Sequence, residues 1–258
     1  MKYLEFTDVE IHELKSEIIG ETFEILVKQP DPQILSLFGN KPLPVVYGTD
    51  ANLSAGGYIN TLEGLLLGGE IPPVLFIGIR YKLGDEPDFM QFVTSRTREF
   101  TPTEDVENQK LMEQMTLREV KGGGAENFLK FLTTELRDWV SERFNVSDDT
   151  TYIGDSMGGL FGLFTLFTEP TAFKRYVIGS PWQEWNHPTT FELEESYAEN
   201  NNDMEAIVYM ASGAEEHIIG PHLEKMNPVM VEIFSKAKTA EYTVPVSYTH
   251  LTLPTKSS

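Results

Sequence analysis

The residues with the clearest capacity for chemistry are Gly154-Asp155-Ser156-Met157-Gly158-Gly159. A Gly-x-Ser-x-Gly spacing suits a serine held on a sharp turn, because the neighbours two places away must be small for the chain to fold back closely. A hydroxyl presented in this way can attack an acyl carbon, provided a base takes its proton and an acid orients that base. The oxyanion that forms needs donors placed in advance. The backbone N–H of Met157 would be one of them. A second is expected from the Asp50-Ala51 loop, from Ala51, and Asp50 itself lies where a substrate group could be bound.

The serine demands a strand before it and a helix after it, and the sequence supplies both. Thr150-Thr151-Tyr152-Ile153-Gly154 has strand composition, and Gly158 to Phe167 is a run of small and apolar residues suited to a buried helix. Thr22 to Lys28 predicts a strand that stops at Pro30-Asp31-Pro32, with residues 12–16 pairing to it through a turn at Gly20. Leu43 to Gly48 and Pro73 to Ile79 predict further strands, joined by a crossover helix over 55–68. Residues 80–124 are polar and predict a loop-rich stretch, within which Arg96 to Thr103 has no clear period. Ala125 to Phe144 repeats Phe128, Leu129, Phe131, Leu132, Leu136, Trp139 and Val140 at helical spacing. Strands at 176–179 and 206–211, loop over 181–202, a helix over 221–238 and a strand from 240 complete the alternation. Such a pattern predicts an α/β fold with a mostly parallel sheet covered on both faces.

The acid is expected after the strand at 206–211, which ends in Ser212-Gly213-Ala214-Glu215-Glu216. Glu215 takes that role, with Glu216 as the alternative. The base should come last in chain order. Of the five histidines, His12 lies in the first strand region, His187 follows the Pro181-Trp182 segment, and His217 and His222 follow the acid too closely. His250 has the expected place.

Composition bounds the possible partners. A formal charge of −20 and 40% apolar residues describe a globular chain that is a poor match for nucleic acid, since binding phosphates needs an excess of Lys and Arg. The absence of cysteine removes disulfides, thiolate metal sites and a thiol nucleophile. No stretch approaches a membrane span, and no signal-peptide pattern opens the sequence, so a cytoplasmic protein acting on a small molecule is the expectation. Nothing in the sequence specifies an oligomeric state.

The motifs together resemble the α/β-hydrolase esterase family that contains the siderophore trilactone esterases and the esterase-D-like hydrolases. Ser16 to Pro30 is similar to its opening strand pair, and Val45 to Asn52 to its Asp-Gly loop, with Ala51 in place of the glycine. Ile71 to Tyr81, Arg96 to Thr103 and Gly122 to Glu135 match further segments in order. Gly154 to Phe161 matches the serine turn, with Asp155 where histidine is usual, and Ser180-Pro181-Trp182 matches a Ser-Pro-rich, tryptophan-containing segment. The resemblance implies carboxylic ester hydrolysis through an acyl-serine intermediate, with no metal and no organic cofactor. It places Arg96 and Trp182 by the substrate cleft, where Arg96 either binds a polar part of the substrate or pairs with a carboxylate to hold a loop. An acyltransferase on the same fold and a catalytically inactive binding protein are the competing expectations. Asp155 is expected to make anionic substrates poor ones.

The last residues carry a separate signal. Val246-Ser247-Tyr248-Thr249-His250-Leu251-Thr252-Leu253-Pro254-Thr255 resembles a translated transposase sequencing adapter, whose codons GTC TCT TAT ACA CAT CTG ACG CTG CCG ACG encode the same ten residues. The expectation is therefore a single esterase domain over 1–244, lacking its family's closing segment, and a non-native tail over 245–258. His250 then occupies the place of the base by coincidence.

Overall fold

The computed structural model describes residues 8–83, 88–186, 188–201 and 204–211. A hairpin opens the domain: β1 (Val9–Lys15) pairs antiparallel with β2 (Thr22–Lys28). Then follow α1 (Pro32–Leu37), β3 (Leu43–Gly48), α2 (Ala51–Leu67) and β4 (Leu75–Tyr81). Helices α3 (Phe89–Phe100) and α4 (Val106–Thr116) precede a rod made of α5 (Ala125–Phe131), a π turn (Leu132–Leu136) and α6 (Arg137–Arg143). The rest is β5 (Val146–Asp155), α7 (Met157–Thr168), β6 (Arg175–Gly179), α8 (Pro188–Asn200) and β7 (Ile207–Ala211).

The seven strands form one sheet in the order β1-β2-β4-β3-β5-β6-β7. The β1–β2 and β2–β4 pairs are antiparallel, and every later pair is parallel. Helices pack on both faces, as the alternating pattern predicts. One face carries the main core, in which Phe23, Phe100, Phe128, Phe131 and Phe161 form a connected set of ring contacts. On the other face α2 packs Ala51, Ala55 and Ile59 against Leu26, Val46 and Phe76.

Three helices correct the expectation of loop. Residues 80–124 contain α3 and α4, and residues 181–202 contain α8. Helix α3 buries Thr97 and Glu99 beside Phe92 and Phe100, so polar residues fall on its inward face and erase the apolar period. Helix α4 exposes Val106, Leu111 and Met115 while burying Met112 and Thr116. Helix α8 has Thr190 as its one buried residue. The crossover helix begins at Ala51, four residues ahead of the expected start, and β4 runs two residues later than expected.

The π turn has a visible job. It directs Glu135 to the β1–β2 turn, where Ser16 Oγ donates to its Oε2 (2.5 Å) and the Glu17 N–H donates to its Oε1 (3.0 Å). Ser16 is fully buried, so a carboxylate reaching it from the helix satisfies a hydroxyl that would otherwise be costly.

Candidate active site

Strand order decides where a site can form. From β3 the chain first goes outward to β4 and later returns to the opposite side of β3 to form β5. At such a reversal the loops leaving neighbouring strands diverge and leave a crevice at the carboxyl ends. The two loops here are Thr49-Asp50 after β3 and Ser156 after β5.

Ser156 has φ 58° and ψ −117°, the one-residue turn that ends β5 and starts α7. Few L-residues adopt this conformation, and it persists only where the surroundings over-determine it. They do so here from both sides. The Ser156 N–H donates to the Gly179 carbonyl (3.0 Å), and the Ser156 carbonyl accepts from the Trp182 N–H (2.9 Å) and the Leu160 N–H (3.0 Å). Close approach also explains the glycines. A Cβ on Gly158 would stand 2.6 Å from Thr49 Oγ1, so the first turn of α7 rests directly on the β3 loop.

Tyr152 ties these pieces together. Its hydroxyl donates to the Gly158 carbonyl (2.6 Å) and so accepts from Thr49 Oγ1 (3.1 Å). Burial pushes its pKa well above the usual range, with the Thr49 hydrogen bond opposing, and the phenol stays a donor. The Thr49 N–H in turn donates to the Ile153 carbonyl (3.1 Å).

Asp50 stands in the left-handed region, φ 55° and ψ 31°, immediately before α2. Its carboxylate receives both arms of Arg96, Nε to Oδ1 at 2.8 Å and Nη2 to Oδ2 at 2.5 Å. The two side chains are 14% and 5% exposed. The Arg96 guanidinium also lies over the rings of Phe92 (5.5 Å) and Phe100 (5.8 Å). Burial works to lower the Arg96 pKa, but the Asp50 charge and hydrogen bonds outweigh it and the net direction is upward. Burial likewise raises Asp50, with Arg96 opposing. Asn52 fixes the next stretch of the loop: its amide donates to the Tyr81 carbonyl (3.0 Å) and accepts from the Tyr81 N–H (2.8 Å).

The structure thus gathers Ser156, Met157, Asp50, Ala51, Arg96 and Trp182 at the carboxyl end of the sheet. Trp182 is half-buried, with its ring against Trp185 (5.9 Å) and its indole N–H donating to Glu184. His12 lies on β1, on the far side of β2, β4 and β3 from β5, and pairs with Glu10. Glu215, Glu216, His187, His217, His222 and His250 lie outside the described residues, as do the helix expected over 221–238 and the strand from 240. Among the described residues no group of three or more His, Asp or Glu side chains converges as a metal site requires. No helix among them is long and apolar enough to cross a membrane. Sequence reasoning missed Thr49, Tyr152 and Asn52. Tyr152 and Thr49 carry no spacing signal, because they meet only through strand pairing.

A serine at positive φ between a parallel strand and a helix, at the switch point of such a sheet, is the arrangement of the α/β-hydrolase fold. The family model described as "Putative esterase" matches residues 16–242, and the chain belongs to that family. It is 32% identical over 205 residues to the ferri-bacillibactin esterase BesA of Bacillus subtilis, covering 75% of this chain and 66% of that protein. It is 29% identical over 175 residues to the siderophore triacetylfusarinine C esterase of Aspergillus fumigatus, covering 65% of this chain and 53% of that one. The chain therefore spans between about half and two thirds of these relatives. The solved BES protein from Bacillus cereus superposes with a TM-score of 0.74 at 23% identity, over 95% of this chain and 88% of that structure, a likeness of fold.

Proposed function

We propose that the chain is a serine esterase that cleaves small-molecule carboxylic esters of the siderophore class. The observation that carries this reading is Ser156 itself, a serine held in a strained conformation at the head of a buried helix, beside a second helix start at Ala51. Ser156 Oγ attacks the ester carbonyl and forms the acyl-serine bond, while its proton passes to a histidine. That proton then leaves with the alcohol as the C–O bond breaks. Water, deprotonated by the same imidazole, releases the acid and restores the serine. The N–H groups of Met157 and Ala51 stabilise the oxyanion, since the first amides of a helix have no intrahelical acceptor. Glu215 is the proposed orienting acid, and His250, although within the 245–258 stretch expected to be non-native, holds the place of the base in chain order. The siderophore assignment draws on the two relatives, one named a ferri-bacillibactin esterase and the other a siderophore triacetylfusarinine C esterase.

The test is labelling with a fluorophosphonate, followed by turnover of a short nitrophenyl ester. Ser156→Ala is expected to lose labelling and to lower kcat by about 1,000-fold or more, with its thermal unfolding still cooperative. Labelling at another residue, or turnover retained in the alanine variant, removes Ser156 from the mechanism.

A further inference from the structure

We propose that Arg96 is a positioning residue, which aims the Ala51 N–H at the reacting oxygen by holding Asp50, and that it does not bind substrate. The inference rests on the reading of Ser156 as nucleophile. Among the described residues, four aspartates stand immediately before helices. Asp31, Asp88 and Asp105 each cap their own helix, accepting from the N–H of residues two or three places on. Asp50 does not: its side chain makes no capping bond and is turned wholly to Arg96.

That choice has a chemical consequence. The Leu53 and Ser54 N–H groups both donate to the Asp50 carbonyl. The amides of Ala51 and Asn52 are then the ones left without an intrahelical acceptor, and the carboxylate that would ordinarily approach the head of the helix is held away from it. The α2 start stays open to an anion that exists only during reaction. Gly158 packs against Thr49 at this point, and a Cβ there would also stand 3.4 Å from Asp50 Oδ2. The first turn of α2 and the first turn of α7 are therefore neighbours, as two donors on one oxygen must be.

Arg96 is also badly placed to serve as a substrate anchor. Its Nε and Nη2 are committed to Asp50, two rings flank its guanidinium, and a substrate carboxylate would have to compete with a buried ion pair. The planar fork matters, because a lysine offers the charge without two parallel bonds to one carboxylate.

The experiment measures kcat and KM for Arg96→Lys, Arg96→Gln, Asp50→Asn and the Arg96→Gln/Asp50→Asn double variant, on neutral nitrophenyl butyrate and on anionic mono-nitrophenyl succinate. Each single variant is expected to lose about 100-fold in kcat on both esters, with KM within about two-fold of the parent. The double variant should be no slower than either single one, because both remove the same constraint. A rise in KM confined to the succinate ester, with kcat kept, overturns the proposal in favour of substrate binding. Full kcat on both esters in Arg96→Lys overturns it as well. Should Arg96→Gln unfold, Arg96→Lys and Asp50→Asn still decide the matter. Failure of the parent protein to react with fluorophosphonate at Ser156 is a separate result, which strikes the nucleophile assignment.

Discussion

Glu99 lies in the last turn of α3 at 2% exposure, three residues past Arg96, and faces the interior with one carboxylate oxygen lacking any hydrogen-bond partner. Its other oxygen accepts from Arg98 Nε (2.8 Å) and Nη2 (2.6 Å). Burial is the larger influence and lifts the carboxyl to about 7, with the Arg98 charge opposing. The folded protein thus keeps a proton that the unfolded chain, titrating near 4.5, has already released. The stability tied to that proton is complete below about pH 4.5 and is lost as pH rises through about 7. At 1.36 kcal/mol per tenfold in proton affinity, the loss is about 3 kcal/mol. Glu99→Gln, which imitates the protonated acid, should remove this dependence. Urea unfolding at several pH values should show parent and variant diverging by about that amount above neutrality. Equal slopes in the two proteins would mean that Glu99 stays ionised throughout.

At the scale of elements, the serine turn is a packing problem solved with glycine. A Cβ on Gly159 would meet the Gly179 carbonyl oxygen at 2.5 Å and Pro181 Cα at 2.9 Å, both of them backbone. Neither can swing aside as a side chain tip would. Gly159→Ala should therefore cost about 1–3 kcal/mol and displace the segment whose Trp182 N–H holds the Ser156 carbonyl. Chemical denaturation checks the first effect, and an unaltered midpoint would show the contact to be softer than its geometry suggests. These glycines were legible in the sequence because the turn requires small residues at fixed places. The parallel strands were legible too, since Leu43–Gly48 is short and apolar and Pro73 to Ile79, which overlaps β4, is a continuous apolar run. Helices α3, α4 and α8 were not, because their inward faces include Thr97, Glu99, Thr116 and Thr190. A local signal did exist for α3: Asp88 accepts from the N–H of Met90 and of Gln91, and an aspartate three places before a glutamine is a helix-start pattern.

For the molecule as a whole, strand order and site location are one fact. The reversal around β3 brings residues from opposite halves of the sequence to one crevice, and Arg96 reaches Asp50 across 46 positions from a different helix. The sequence named both as candidates and left open whether Arg96 serves the substrate or a carboxylate. Only the fold pairs them, since nothing in the spacing of two residues on separate helices encodes a contact. Ser156 and Met157, by contrast, were readable locally, because the strand and the helix that flank them are contiguous in the chain.

The conformation of Ser156 also enters the thermodynamics of the entire domain. A residue at φ 58° and ψ −117° costs on the order of 1–3 kcal/mol, a sizeable share of the roughly 5–15 kcal/mol that separates folded from unfolded states. Replacing the serine by alanine removes the hydroxyl and leaves that cost in place, because the Cβ remains. Replacing it by glycine removes both. In an ordinary loop glycine is the less stable of the two by up to about 1 kcal/mol, through the freedom it gives the unfolded chain. At this position the order should invert, with Ser156→Gly melting above Ser156→Ala and at or above the parent. Calorimetry on the three proteins would measure how much folding stability is given up to keep a hydroxyl where it can react.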